Sequence, residues 1–236
     1  MGETIVNLTD TIRVLGDLVA ASHPDAADRA LLLAKEWFIE LARSVPRKET
    51  QPFETQEQVG TRVLARILNA GGLPTDDTNA GRLLRHAWDK WQSQARLCEG
   101  VTKEWLRGIR TLSAGVGAVT DGDSHDVRTL LEKMGLESYF DSVTTSEDVR
   151  AYKPNPRVYS AALERLRARP ERSLFVSDSS LDLQGAAKSG MGCALLDRIG
   201  RGGHIAVPEG TLHLHQPTEL NPVLLRFVAT GQFLQE

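Results

Sequence analysis

From about residue 98 onward, short apolar runs alternate with helical patterns, and this alternation constrains the fold more than any other feature of the chain. Asn155 followed by Pro156 is typical of a helix start, and Gly135 and Gly190 are typical helix stops. Because parallel strands need crossover connections, usually helices, the alternation predicts an α/β fold with a doubly wound, Rossmann-like parallel sheet. The predicted strands are VGAVT (116–120), SVTTS (142–146), SLFVSD (173–178) and CALLD (193–197).

Between about residues 25 and 97 the pattern is helical and strand signals are absent. Apolar residues recur every three or four positions, which predicts amphipathic helices. If TIVNL (4–8) is a first strand, this block interrupts one sheet. We therefore expect residues 1–14 and 98–236 to form the core, with 15–97 as an inserted all-helical cap. The periodic residues are Ala30, Leu33, Ala34, Trp37, Phe38 and Leu41, then Val59, Val63, Leu64, Ile67 and Leu68 before Gly71 and Gly72, then Leu84, Trp88 and Trp91.

The composition argues against several classes of function. The 236-residue chain has a net charge of −3 and a pI near 6.1, so bulk electrostatics favours neither a nucleic acid nor an anionic membrane partner. It has no apolar run of about 18 residues and no signal-peptide pattern, so we expect no membrane span. Cys98 and Cys193 lie far apart, which argues against a disulfide framework and makes a cytoplasmic location the default expectation.

Two acids follow the predicted strand at 173–178. Asp178 lies at the strand end, and Asp182 lies four residues on, near the next helix start. Reactive groups gather at the carboxyl ends of parallel strands, and two carboxylates in one crevice repel each other. A divalent cation such as Mg²⁺ relieves that repulsion, because it prefers oxygen ligands. Helix capping explains the same pair equally well, with Asp182 as a favourable first-turn charge.

Thr120 and Lys153 are candidate anion contacts. Thr120 follows VGAV, and its hydroxyl and the neighbouring backbone N–H groups, at Asp121 and beyond, suit an anion at the start of the next helix. Lys153 lies in AYKPNP, where two prolines stiffen the chain and fix the direction of the side chain. An ammonium held in this way suits a phosphate group. Each residue, taken alone, is also consistent with an ordinary turn or a solvated lysine.

In chain order, these features resemble the haloacid dehalogenase superfamily. The resemblance implies a hydrolase in which a carboxylate attacks phosphorus or carbon and water breaks the acyl intermediate. It implies that Thr120, Asp121 and Lys153 contact the ligand, that Asp178 and Asp182 are metal-side acids, and that Mg²⁺ is the cofactor. Ser177 stands where glycine is usual, a change expected to have a small effect. The segments that carry the resemblance are CEGVTKEWLRGIRTLSAGVGAVTDGD, MGLESYFDSVTTSEDVRAYKPNPRVYSAALERL and LFVSDSSLDLQGAAKSGMGCALLDR.

The first motif of that superfamily, D-L-D-[G/D]-T-L, matches NLTDTI (7–12) in frame but lacks both catalytic acids. The nucleophilic aspartate falls on Asn7 and the general acid/base on Thr9, whereas Asp10, Thr11 and Ile12 keep the pattern. An amide is a poor nucleophile, and a threonine cannot shuttle a proton near neutral pH as a carboxyl group does. The Asn7 carbonyl oxygen can still bind Mg²⁺, but more weakly than a carboxylate.

Three functions of the pocket remain open. The chain binds a small phosphorylated or anionic molecule without ordinary phosphatase activity, as a pseudoenzyme. Alternatively, it is an active hydrolase that uses other groups, such as a water positioned by Asp10 or Asp178. The third hypothesis is that Asn7 replaces the nucleophile of an otherwise active phosphatase and traps it.

A fourth hypothesis gives the functional role to the cap, as a protein-interaction surface. Tryptophan is enriched at interfaces, and Trp37, Trp88 and Trp91 lie in this block. Their helical period favours packing between the cap helices instead. The cap also offers basic residues that suit an anion, although solvated surface charge is the commoner role of such residues. These residues are Arg43, Arg47, Lys48, Arg85 and His86.

Overall fold

The computed structural model describes residues 2–48, 50–200 and 206–233. No helix among these residues is both long and apolar enough to cross a bilayer. The strands are β1 (Gly117–Thr120), β2 (Ser142–Thr145), β3 (Leu174–Ser177), β4 (Gly192–Leu196) and β5 (Leu212–Leu214). The helices are α1 (Thr9–Ser22), α2 (Ala30–Ser44), α3 (Gln56–Ala70), α4 (Asp77–Gln92), α5 (Lys103–Leu112), α6 (Ser124–Met134), α7 (Ser146–Val149), α8 (Pro156–Leu166), α9 (Ser180–Lys188) and α10 (Leu220–Thr230).

The strands are parallel, which confirms the predicted α/β class. β1 pairs with β2, and β3, β4 and β5 pair in that order, so the described strands form two sheets. Thr120 at the end of β1 lies beside Thr145 at the end of β2, and Ser177 ends β3. Helix α8 begins as predicted, because Asn155 accepts a bond from the Arg157 N–H ahead of it.

The strand predicted at TIVNL (4–8) is wrong. In this part of the described chain Val6 forms only isolated bridges, to Gly2 and to Leu97. The Glu3 N–H donates to the Val6 carbonyl at 2.8 Å, and Glu3 has a φ of 55°, so the chain turns here. A turn held by local bonds leaves too few extended residues for a ladder with β1 or β3.

Helix α1 begins at Thr9, so Asp10, Thr11 and Ile12 are helical rather than part of a catalytic loop. The helix packs against α2 and α4, within the helical block. It therefore starts ahead of residue 15, where we placed the beginning of the cap. The division of the chain into core and cap stays a prediction.

The three predicted amphipathic helices are confirmed as α2, α3 and α4, and they share one apolar core with α1. Thr55 and Gln58 form a reciprocal capping box at the start of α3, and Gly71 ends the helix. Trp37 and Trp91 are buried, and the Trp37 indole N–H donates to the Gly60 carbonyl. Trp37 and Trp91 therefore hold the helices together, and Trp88, which is half-buried, packs on Trp91. An interaction surface on the cap stays a prediction.

Asp123 joins the helical block to the sheet. It occupies the N-cap position of α6, but its side chain makes no bond to that helix. Its two oxygens instead accept from the Gln56 and Glu57 N–H groups at 2.7 and 2.8 Å, at the start of α3. Burial raises the pKa of this carboxyl, outweighing the two N–H donors. A carboxylate on a loop of the sheet therefore caps a helix of the block.

Candidate active-site crevice

The carboxyl ends of β1, β2 and β3 bring the central candidate residues together. Lys153 Nζ lies 2.5 Å from Asp182 Oδ2, and both side chains are largely buried. The Ser177 hydroxyl donates to the same carboxylate oxygen at 3.2 Å. The Tyr159 hydroxyl donates to the Asp182 carbonyl at 2.8 Å, which fixes the start of α9. An acid and an ammonium are thus held rigidly in a site with little access to water.

Asp121 is the second acid that faces Lys153. Its Oδ1 accepts from the Lys153 backbone N–H at 3.0 Å and from the Ser146 hydroxyl at 2.8 Å. Its Oδ2 lies 3.2 Å from an Arg47 guanidinium nitrogen. Burial by itself would raise the pKa of Asp121, but Lys153 and Arg47 outweigh it and hold that pKa below its usual value. Asp121 therefore orients the lysine-bearing loop.

Lys153 carries the positive charge of the crevice. Burial by itself would lower its pKa, but the carboxylates of Asp121 and Asp182 outweigh burial and raise it. Thr120 is buried beside this loop, and its hydroxyl oxygen accepts from the Gly122 N–H at 3.4 Å. An anion shared by Thr120 and Lys153 stays a prediction.

The N-terminal segment reaches the crevice through Thr4 rather than through its predicted catalytic positions. The Thr4 hydroxyl donates to Asp178 Oδ1 at 3.0 Å, and Thr4 is buried. The Arg198 guanidinium binds the Glu3 and Thr4 carbonyl oxygens at 2.8 and 2.7 Å. Arg198, which follows β4 in the chain, thus holds the segment against Asp178.

Asn7 and Thr9 form a local turn. The Asn7 side-chain oxygen accepts from the Thr9 N–H at 2.9 Å, the geometry of an Asx turn, and Thr9 is exposed at the start of α1. Asp10 forms ion pairs with Arg96 at 2.5 Å and with Arg13 at 3.8 Å. The side-chain oxygens of Asn7 and Asp10 are therefore bonded to residues at the ends of the helical block.

A protein-family model described as haloacid dehalogenase-like hydrolase matches residues 34–196, more than half of the chain. The chain belongs to this family. Among solved structures, it is similar to L-2-haloacid dehalogenase from Xanthobacter autotrophicus, with a TM-score of 0.75 and 19% identity over 98% of this chain and 96% of that one. It is also similar to the putative HAD-hydrolase YfnB from Bacillus subtilis bound to magnesium, with a TM-score of 0.78 and 19% identity over 95% and 96%. Identities this low show the fold alone.

The sequence relatives of this haloacid dehalogenase-like chain include both dehalogenases and phosphatases. It is 31% identical over 97 residues to (S)-2-haloacid dehalogenase 4A of Burkholderia cepacia, which is 41% of this chain and 42% of the relative. It is 34% identical over 87 residues to glyceraldehyde 3-phosphate phosphatase of Methanopyrus kandleri, which is 36% of this chain and 37% of the relative. The chain therefore matches less than half the length of these two relatives.

The predicted metal ligands of this family member fit a tightly held Mg²⁺ ion poorly. One oxygen of Asp182 is already engaged by Lys153 and Ser177. Asn7 uses its side-chain oxygen in a turn, and Asp178 accepts from Thr4. Over the described ranges, no group of three or more His, Cys, Asp or Glu side chains could hold a metal ion. Magnesium prefers several free oxygen ligands, which these three positions do not supply.

The sequence patterns did not point to Thr4 or Arg198. They also led us to expect too small an effect of Ser177. The Ser177 hydroxyl bonds Asp182 directly. Its position at the end of β3 was the sequence signal that could have indicated this contact. Thr4 and Arg198 are 194 positions apart, and no local pattern links them. Of the predicted cap-side cations, Arg47 reaches the crevice, whereas Arg85 pairs with other acids of the protein.

The Asp121→Asn substitution is expected to lower the free energy of unfolding by about 1–3 kcal/mol at pH 7, because a charged acceptor for three donors is lost. The folded pKa of Asp121 lies below the usual value of 3.8, so its stabilisation is present above that value. It is lost as the pH falls through the folded pKa. Urea unfolding from pH 7 to pH 3 should show the gap between wild type and variant closing. The exposed Asp89→Asn is the control, and a gap that does not change with pH would contradict this role.

Proposed function

We propose that this haloacid dehalogenase-like protein binds a small anionic molecule in the crevice beside Lys153 and does not hydrolyse phosphate esters at ordinary enzymatic rates. The observation that carries the proposal is the buried Lys153 ammonium, which Asp182 and Asp121 hold at the carboxyl ends of the strands. The Thr120 hydroxyl supplies a neutral donor for an anion beside this arrangement.

The contacts of the polar side chains in the first motif support the proposed lack of ordinary phosphatase turnover. An amide at residue 7 is a poor nucleophile, and the Asn7 oxygen is bonded to the Thr9 N–H. Asp10 is held by Arg96 and Arg13, so it is badly placed to position a water. The relatives named above act on small anionic compounds, according to their names, which supports the ligand class.

A second candidate is an active hydrolase with unusual groups. The observation in its favour is the Thr4 hydroxyl, which donates to the Asp178 carboxylate at 3.0 Å. A hydroxyl beside a carboxylate is the arrangement in which a base activates a nucleophile. Phosphate ester or haloacid turnover that disappears in Thr4→Val would favour this candidate over simple binding.

The wild-type protein is expected to hydrolyse generic phosphate esters with Mg²⁺ at well under about 1 s⁻¹, the low end of the ordinary enzyme range. The Asn7→Asp/Thr9→Asp double variant is also expected to stay inactive, because this segment turns and enters α1 rather than forming a strand. Release of inorganic phosphate measures both. Turnover at about 1 s⁻¹ in the wild type would refute the proposal, and a gain in the double variant would support the trapped-phosphatase hypothesis.

Inorganic phosphate is expected to raise the Tm of the wild type by mass action. At tenfold excess over Kd, the gain is about 1.4 kcal/mol, or about 3–6 °C for a chain of this size. Thr120→Val, which removes the hydroxyl at nearly constant volume, should lose most of this rise. The exposed Thr111→Val is the matched control. An equal rise in Tm in all three proteins would show that Thr120 does not contribute to the ligand site.

A further inference from the structure

A second cavity, of about 280 Å³, lies where the segment between α2 and α3 meets the loop between α7 and α8. Its described lining includes Arg47, Lys48, Arg150 and Arg157, and none of the described lining residues is acidic. None of Thr120, Lys153, Asp178 or Asp182 lines it. The cavity is therefore separate from the crevice described above, although Arg47 is next to both.

The charge of this cavity is unusual for the molecule. The sequence holds 31 acidic and 28 Lys and Arg residues, so acids are available to pair with cations. Elsewhere arginines do so, as Arg62 does with Glu54 and Arg110 with Asp141. Among the cavity cations, Arg47 pairs with Asp121. The other three have no carboxylate within ion-pair distance in the described part of the chain.

Arg150, on the loop, and Arg157, in the first turn of α8, are held in defined positions by contacts that involve no carboxylate of the described residues. The Arg150 guanidinium lies 5.3 Å from the centre of the Phe53 ring, and Phe53 stacks on Tyr152 at 5.4 Å. Arg157 donates one N–H to the Val149 carbonyl at 3.1 Å. A guanidinium fixed in this way keeps further donors in a plane, the geometry that binds phosphate or carboxylate groups in pairs.

Arg150 also has a φ of 51°, in the left-handed region that favours glycine. Cations gathered at one cavity repel each other, and an anion with more than one charge removes that repulsion. We propose that this cavity is a second binding site, for a small polyanion such as a phosphate ester that carries another anionic group. The stacked Phe53 and Tyr152 rings form its apolar wall.

Titration calorimetry with inorganic pyrophosphate, in low salt and without Mg²⁺, tests the proposal. The Arg150→Gln/Arg157→Gln variant is expected to weaken binding at this site at least about tenfold, because two charged donors are lost. The matched control is Arg107→Gln/Arg167→Gln, which removes the same charge from exposed positions. Arg167 also ends a helix with a φ of 51°, so it controls for the backbone at Arg150. The control should keep the wild-type Kd within about twofold.

Three outcomes would overturn this second site. These are no pyrophosphate binding by the wild type at millimolar concentration, equal weakening in both double variants, and an unchanged Kd in Arg150→Gln/Arg157→Gln. Thr120→Val separates the second site from the crevice, because it should leave the Arg150 and Arg157 site unaffected. Loss of all pyrophosphate binding in Thr120→Val, with none lost in the arginine variant, would uphold the crevice and refute the second site.

Discussion

Lys153→Met is expected to lower the free energy of unfolding by about 3–5 kcal/mol, because it leaves Asp182 buried without its cation. The Lys153 side chain is 7% exposed and its Nζ lies 2.5 Å from Asp182 Oδ2. Ser177 and Tyr159 contact Asp182, but neither compensates a full charge. Urea denaturation at pH 7 measures the loss. A change below about 1 kcal/mol, the range of a surface pair, would contradict it.

The Lys153→Met/Asp182→Leu double variant is the control for this experiment. Replacing both charges with apolar groups removes the unpaired acid, so much of the lost stability should return. A large interaction energy between the Lys153 and Asp182 substitutions is the result expected of a buried ion pair. Alkaline pH gives an independent check, because the folded pKa of Lys153 lies above its usual value of 10.5. Its stabilisation is present below that value and is lost as the pH rises through the folded pKa.

Gly185→Ala is expected to lower the free energy of unfolding by about 1–3 kcal/mol, although alanine favours helices. A Cβ at Gly185 would lie 2.4 Å from the Tyr159 hydroxyl oxygen and 2.6 Å from the ring. Tyr159 is fully buried and donates to the Asp182 carbonyl, so the ring has no free direction in which to move. The variant should therefore disturb Asp182 as well as the packing of α9.

Gly81→Ala is the matched control for Gly185→Ala. Gly81 also lies within a helix, but its Cβ would meet only Thr61 side-chain atoms at 3.4 and 3.5 Å, an ordinary contact. This variant is expected to raise the free energy of unfolding by about 0.5–1 kcal/mol through helix propensity. Urea denaturation should therefore show that the two substitutions change the free energy of unfolding in opposite directions. Stabilisation of similar size by both substitutions would show that the close approach of Tyr159 to α9 is wrong.

Local patterns predicted β1 to β4 and most helices with little error, but gave no sign of β5. The strand predicted at 173–178 is β3, and the cap at Asn155 starts α8. Such features depend on residues a few positions apart, and the sequence contains that information. The family resemblance placed Asp121, Lys153 and Asp182 near one another, and their hydrogen bonds now join them.

The strand expected before the first motif shows where the sequence was misleading. NLTDTI matched the family pattern in frame, yet Glu3 turns the chain and the helix begins at Thr9. A motif match reports the order of residues, whereas a strand also needs neighbours with which to pair. In the described structure Val6 has only isolated bridges. The segment contacts the crevice through Thr4, which no spacing rule singled out.

Periodicity, capping and family pattern within short stretches were enough to predict the α/β class, the helical block and the acids and lysine of the crevice. The folded chain alone shows that Thr4 contacts Asp178, that Asp123 caps α3, and that Arg150 and Arg157 line one cavity with Lys48. Those contacts join residues far apart in the chain. Their formation depends on how buried surfaces pack and how each buried polar group is satisfied, which local sequence does not specify.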